Sequence, residues 1–395
     1  MAVNPNEYNP FRVQALCWSI FSFLDFGKDL TTVALTCKAW KNSLNEINFL
    51  YQFLENRKCI TYKTLSKIKK KFFEKHRIII EDQQILNRCL NLRKLDLKRS
   101  TSFTYLDAAS PIVRELDLSY NHNLFQIPLK NFPALTYLNL SYTSIQDGFF
   151  EDNDLSQIKI LKLEGCSKLT NPSFKRCSNI EEIDLSKSKN LSNPVFNHLP
   201  LKKLSLLKCL ILDQPKLINL NCLTSLNLSS NNFSKVELKY FLKSDLPKLE
   251  ILYLNSLQGI RTIVLTYPNL KEVNLSGCFN LEEFCFEGLT HLEMISLAGC
   301  KIYDEAIQQL SKYKLTSLKR LNVSCCHELK NPIFENLSLE ELELDWCLKL
   351  QKPIFKNLPN LQKLSMQNIS HPLTLHFQDT PKLRNVDISR GGNSN

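Results

Sequence analysis

The stretch "LEELELDWCLKLQKPIF", Leu339 to Phe355, carries leucine at its first, fourth and sixth positions. Its x-Leu-x-Leu-x core has the two-residue period of a β-strand with one buried face. The same phrase, with Ile or Val substituting for some leucines, begins at Leu92, Val113, Leu135, Ile158, Ile180, Leu201 and Leu223. It begins again at Leu249, Leu270, Leu292, Leu318, Leu339, Leu361 and Leu383, so fourteen copies fill the chain almost to its end. A lone strand of this kind cannot bury its leucines. Stacked copies can, by sharing one continuous core beneath a parallel sheet.

Fourteen phrases in near-constant register resemble a leucine-rich repeat solenoid. The resemblance implies an α/β fold over residues 92–395: a horseshoe with a parallel sheet on its concave face. Three residues past the last apolar position of the phrase stand Cys166, Cys209, Cys278, Cys300, Cys326 and Cys347, or Asn121 and Asn231. In the leucine-rich repeat family this column is buried, and its side chains bond to backbone in the loop leaving the strand. That assigns six of the fourteen cysteines to structure.

The two longest units have room for helices on the outer side, around Asp304 to Tyr313 and Val236 to Ser244. Others carry proline there, in "NPSF" at Asn171, "NPVF" at Asn193, "NPIF" at Asn331 and "KPIF" at Lys352. Proline lacks the N–H that a helix interior needs. These backs are expected to be turns or short 3₁₀ pieces, a shallow horseshoe, with the phenylalanines filling the core.

The 395 residues are 43% hydrophobic, which excludes wholesale disorder. No apolar run is long enough for a membrane span. "MAVNPNEYNPF" has no secretory pattern, so the cysteines are expected to be reduced and the protein cytoplasmic. No Cys-x-x-Cys pair or glycine-rich phosphate loop occurs, so neither metal nor cofactor is expected. No Cys–His–acid grouping stands outside the repeat pattern, so no catalytic residue is assigned. The formal charge of +11 is concentrated in "RKCITYKTLSKIKKKFFEKHR", Arg57 to Arg77, which reads as the solvated face of a helix.

Residues 1–54 never use the phrase. Asn9 and Pro10 open a helix carrying Val13, Leu16, Ile20 and Leu24, and Asp29 caps a second. "ALCWSIFSFLDFGKDLTTVALTCKAWKNSLNEINFLYQFL", from Ala15, resembles an F-box, although Arg12, Val13 and Ala15 replace that family's opening Leu-Pro-x-Glu. The resemblance implies docking on a Skp-type adaptor, and through it on a cullin. Leu16, Ile20, Phe21, Leu24, Leu30, Val33 and Trp40 are the candidate adaptor residues. The alternative reading is an N-terminal helical cap, but His76 to Cys89 already read as such a unit, which leaves this block surplus to capping. Residues 55–91 read as a basic linker and capping unit, with Ile78 and Ile80 as a strand and a helix ending near Cys89.

Two functions follow. One is the substrate receptor of a cullin–RING ubiquitin ligase, non-catalytic itself. The other is a protein-binding scaffold or inhibitor with no ubiquitin role, including a microbial protein acting in a host cell. In either case the target meets the residues flanking the buried leucines, where six basic residues face eleven acidic ones. That balance disfavours nucleic acid. Glu341, Glu343 and Asp345 form the densest acidic cluster. Trp346 follows them where sister units carry Gly165, Gly277 or Gly299, and Tyr253 adds a second aromatic. These five are the candidate target-binding residues, for a partner with a basic or mixed surface.

Overall fold

The computed structural model describes residues 59–61, 92–99, 109–212, 215–233, 245–370 and 372–389. All fourteen phrases form three-residue strands, from Lys94–Asp96 through Glu341–Glu343 to Asn385–Asp387. They lie side by side in chain order, every pairing parallel, in one fifteen-stranded front sheet. Register is uniform: Leu321 stands beside Leu342, and Leu342 beside Leu364. The central residue of each strand points inward and its neighbours face out. A one-residue slip would put the leucine row in water, which is why the register holds along the array.

The column after each strand is buried. Cys347 Sγ donates to Val323 O at 3.2 Å, and Cys326, Cys300, Cys278 and Cys209 make the same bond one unit back. Asn121 and Asn231 each reach two carbonyls, one in their own unit and one in the unit before. The column thereby satisfies carbonyls that the chain exposes as it turns out of the sheet. Burial raises the Cys166 and Cys278 thiols to about 11 and those of Cys209 and Cys347 to about 12. At neutral pH they are protonated donors, not nucleophiles.

The backs of the proline units differ from the expectation of turns or 3₁₀ pieces. "NPVF", "NPIF" and "KPIF" lead into strands Val195–Asn197, Ile333–Glu335 and Ile354–Lys356, and Ser173 of "NPSF" bridges Val195. These strands form short parallel back sheets, the largest being Ile333–Glu335, Ile354–Lys356 and His376–Gln378. Proline lacks a donor but keeps its carbonyl, and the next unit uses it. Ile354 N–H donates to Pro332 O and Lys216 N–H to Pro194 O, both at 2.9 Å. At the start of a strand the missing N–H costs nothing. The phenylalanines fill the core as anticipated: Phe174, Phe196, Phe334 and Phe355 are all buried, and Phe334, Phe355 and Phe377 stack in sequence.

Helix Asp304–Lys312 occupies one long unit, with Ile307 and Leu310 inward. The Asp304 carboxylate ties it to the next unit, accepting the N–H groups of Lys330 and Asn331 at 2.9 Å. The helix expected around Val236 to Ser244 lies outside the described residues. At the N-terminal side, strand Cys59–Thr61 pairs directly with Lys94–Asp96. It takes the sheet position anticipated for Ile78 and Ile80, which themselves lie outside the described residues. Among the described residues, no helix is long and apolar enough to cross a membrane.

Candidate protein-binding face

Each unit presents three outward positions: the first and third residues of its strand and the residue two further on. The third is often Asp or Asn, and there its side chain has local work. Asp96, Asp117, Asn139, Asp184, Asn227, Asn274 and Asn322 each accept the backbone N–H two residues ahead, closing an Asx turn. Several of the acids that make the face negative are therefore turn formers. Glu115, Glu164 and Glu182 are neutralised by Lys94, Lys187 and Lys162.

The unit Leu339 to Leu350 breaks this pattern. Glu343 occupies the Asx position, and its carboxylate instead accepts the Asn322 side-chain amide of the preceding unit. Glu341 pairs with Lys363 at 2.5 Å. Asp345 accepts Ser365 Oγ at 2.6 Å and Gln367 N–H at 2.7 Å. Glu343 is exposed as a residue. Its carboxyl is nevertheless raised above the usual range, first by partial burial and then by the charges of Asp345 and Glu341. Negative charge is thus concentrated here, with one lysine salt bridge for three acids.

Trp346 stands beside them at φ +59° with 51% of its surface exposed. This left-handed position recurs in each unit from Arg99 to Asn368, in Gly165, Gly277 and Gly299 as in Tyr120, Tyr142 and Lys187, and repeat geometry imposes it. An L-residue there costs about 1–2 kcal/mol. Towards the N-terminal end of this rim the tyrosines are engaged. Tyr120 and Tyr142 stack at 4.6 Å, Lys98 and Arg99 lie over Tyr120, and Tyr142 donates to Glu164 at 2.9 Å. Among the described residues, no ring or cation packs on Trp346.

Of the five predicted target residues, the structure gathers four, Glu341, Glu343, Asp345 and Trp346. Tyr253 stands apart from them. Its strand is four places away in the sheet, roughly 19 Å. Burial and a hydrogen bond to Glu272 hold its hydroxyl proton more tightly. Three apolar residues on the same rim escaped the sequence reading: Phe279, 66% exposed, Leu210 and Leu348. Each directly follows the buried cysteine, where sister units have Ser167, Lys301 or His327. That contrast was the available signal. The predicted adaptor residues, Leu16, Ile20, Phe21, Leu24, Leu30, Val33 and Trp40, lie outside the described residues.

The BspA-type leucine-rich repeat region matches the chain in six copies, over residues 124–214, 216–322 and 305–394. The chain belongs to this leucine-rich repeat family. Members are repeat proteins whose stacked units form an extended surface. No curated protein matches the sequence. Among solved structures, an internalin of Listeria monocytogenes is similar at 16% identity, covering 89% of this chain and 94% of its own, with a TM-score of 0.39. A leucine-rich repeat protein of Leptospira interrogans aligns at 17% identity over 86% of this chain and 98% of its own, TM-score 0.38. The TLR13 chain of a TLR13–ssRNA13 complex aligns at 17% identity over 78% of this chain, TM-score 0.41. This chain spans 57% of that TLR13 chain's length.

Proposed function

We propose that this BspA-type repeat protein is a non-catalytic protein-binding scaffold. Its front sheet takes a basic segment of a partner at Glu341, Glu343 and Asp345, anchored by an aromatic contact at Trp346. One observation carries the reading: in this unit a glutamate replaces the turn-forming Asx, and the adjoining indole is half exposed at a position better suited to glycine. Aromatic anchors beside charge are where interface energy concentrates. Selection of a random peptide library against the purified chain tests it. Enriched peptides should combine Lys or Arg with a large apolar residue and lose binding to Trp346→Ala and Glu343→Lys. Peptides indifferent to both variants would overturn the front-face reading.

A finer reading concerns residues 1–54, which precede the first described strand of the sheet, Cys59–Thr61. Their resemblance to an F-box supports docking on a Skp-type adaptor, and through it a cullin, which would make the scaffold a ubiquitin-ligase receptor in the cytoplasm. Gel filtration with such an adaptor decides it. Co-elution should disappear with Ile20→Asp plus Phe21→Asp while the solenoid stays folded. Failure to co-elute with the unaltered chain leaves the scaffold role standing alone.

A further inference from the structure

The last described strands of both sheets are uncovered. Val386 and Ile388 occupy the positions held one unit earlier by Leu364 and Met366, which are buried, yet they are 41% and 46% exposed. On the back, Phe377 stacks on buried Phe355 at 5.1 Å and leaves its other face open, 41% exposed. Among the described residues, the outward hydrogen-bonding groups at both edges have no partner. In the preceding unit, Met366 N–H reaches forward to Asp387 O, and Gln362 O accepts Arg384 and Asn385 N–H. One unit later these become an Ile388 N–H and an Arg384 C=O with no following strand among the described residues. The back sheet repeats the arrangement. Asn357 N–H donates to Gln378 O, and Pro353 O accepts His376 N–H, so Asp379 N–H and Leu375 C=O point outward.

We propose that this edge pairs with the same edge of a second copy of the chain, antiparallel, about a two-fold axis through Val386 and Phe377. Residues 384 and 388 lie symmetrically about Val386, and residues 375 and 379 about Phe377. The outward donor of each strand therefore meets the outward acceptor of its copy, twice per sheet. Side chains agree with the register. Asn385 stands opposite Asp387 of the copy at two equivalent places, amide facing carboxylate, on the solvent side of the front sheet. Within the core, Val386 meets Val386, and the stack Phe334, Phe355, Phe377 continues into its mirror sequence. A two-fold contact of this kind is self-limiting, so it closes the edge without propagating a fibre.

Sedimentation velocity of the full chain tests the proposal, together with site-specific cross-linking. A dimer is expected for the unaltered chain, and monomer for Val386→Lys at unchanged circular dichroism. Ile388→Pro removes the outward N–H, trims a half-exposed side chain and suits an edge strand, so it should dissociate the dimer even if the lysine variant misfolds. Register is read by mixing Asn385→Cys protein with Asp387→Cys protein. Facing positions in such a pair lie about 4.5 Å apart at Cα, within disulfide reach. The oxidised mixture should yield a covalent dimer that neither variant gives alone. A monomer at all concentrations would overturn the proposal, leaving the edge to some other partner. A dimer that survives Ile388→Pro, or that fails to cross-link in the mixture, would overturn it equally.

Discussion

The ring of Tyr142 occupies the space a side chain on Gly165 would need: a Cβ there would stand 2.5 Å from Tyr142 Cε1. The glycine also adopts φ +66°, so two separate constraints meet at one residue. Gly165→Ala should cost about 1–2 kcal/mol for the left-handed backbone, and more for displacing the ring. In a Tyr142→Ala background only the backbone cost should remain. Denaturant titration of the four proteins measures the coupling, and strict additivity would show that the ring yields freely.

Trp346 sits in the same left-handed column, half exposed, and among the described residues no ring or cation packs on it to offset the strain. Trp346→Gly should therefore raise stability by about 1 kcal/mol, read as a higher denaturation midpoint. Partner affinity should meanwhile fall by about 2 kcal/mol, measured on a peptide enriched by the library selection. A destabilised glycine variant would show that the indole packs in solution.

Glu343 titrates above the usual carboxylate range, because partial burial and its acidic neighbours disfavour the charge. The folded chain binds more protons there than the unfolded chain. This contribution to stability therefore falls as the pH rises from the ordinary glutamate range through the raised value. Glu343→Gln should flatten that slope in thermal melts. A partner lysine reverses the preference, so capture should strengthen over the same rise and release a proton. Calorimetry in buffers of differing ionisation enthalpy measures that release, and its absence would remove Glu343 from the contact.

The cysteine column predicts a labelling pattern. Cys166, Cys209, Cys278 and Cys347 are buried with raised thiols, whereas Cys222 and Cys325 are only partly buried. A thiol reagent at mildly alkaline pH should modify Cys222 and Cys325 promptly. The column should react only at the rate of global unfolding, and mass spectrometry of peptides distinguishes the two sets.

Phe355 lies between Phe334 and Phe377 in the back-sheet stack. Phe355→Ala should cost about 3–5 kcal/mol, the usual loss for a buried ring whose cavity cannot collapse. Phe377→Ala, at the exposed end of the same stack, should cost markedly less in the monomer. Equal losses would mean that the end of the stack is covered in solution.

Local pattern alone was enough for the front sheet. A strand with one buried face must alternate, and fourteen alternations at near-constant spacing leave a parallel stack as the way to bury Leu95, Leu342 and their equivalents together. The buried column was legible for the same reason, since Cys347 and Asn231 stand at one fixed distance from the leucines. What sequence could not decide depends on the neighbouring unit. "NPIF" and "KPIF" read as turns because their hydrogen bonds come from the next repeat, through carbonyls such as Pro332 O. Strand Cys59–Thr61 carries no leucine phrase, and only its pairing with Lys94–Asp96 reveals it. The acids show the same division. Composition counts Asp117, Asp184 and Glu343 alike, but the first two close turns two residues away while the third reaches across to Asn322. Periodicity is a property of the chain and survives in its sequence. Which polar groups remain free for a partner is decided only when the units stack, because each unit satisfies the one before it.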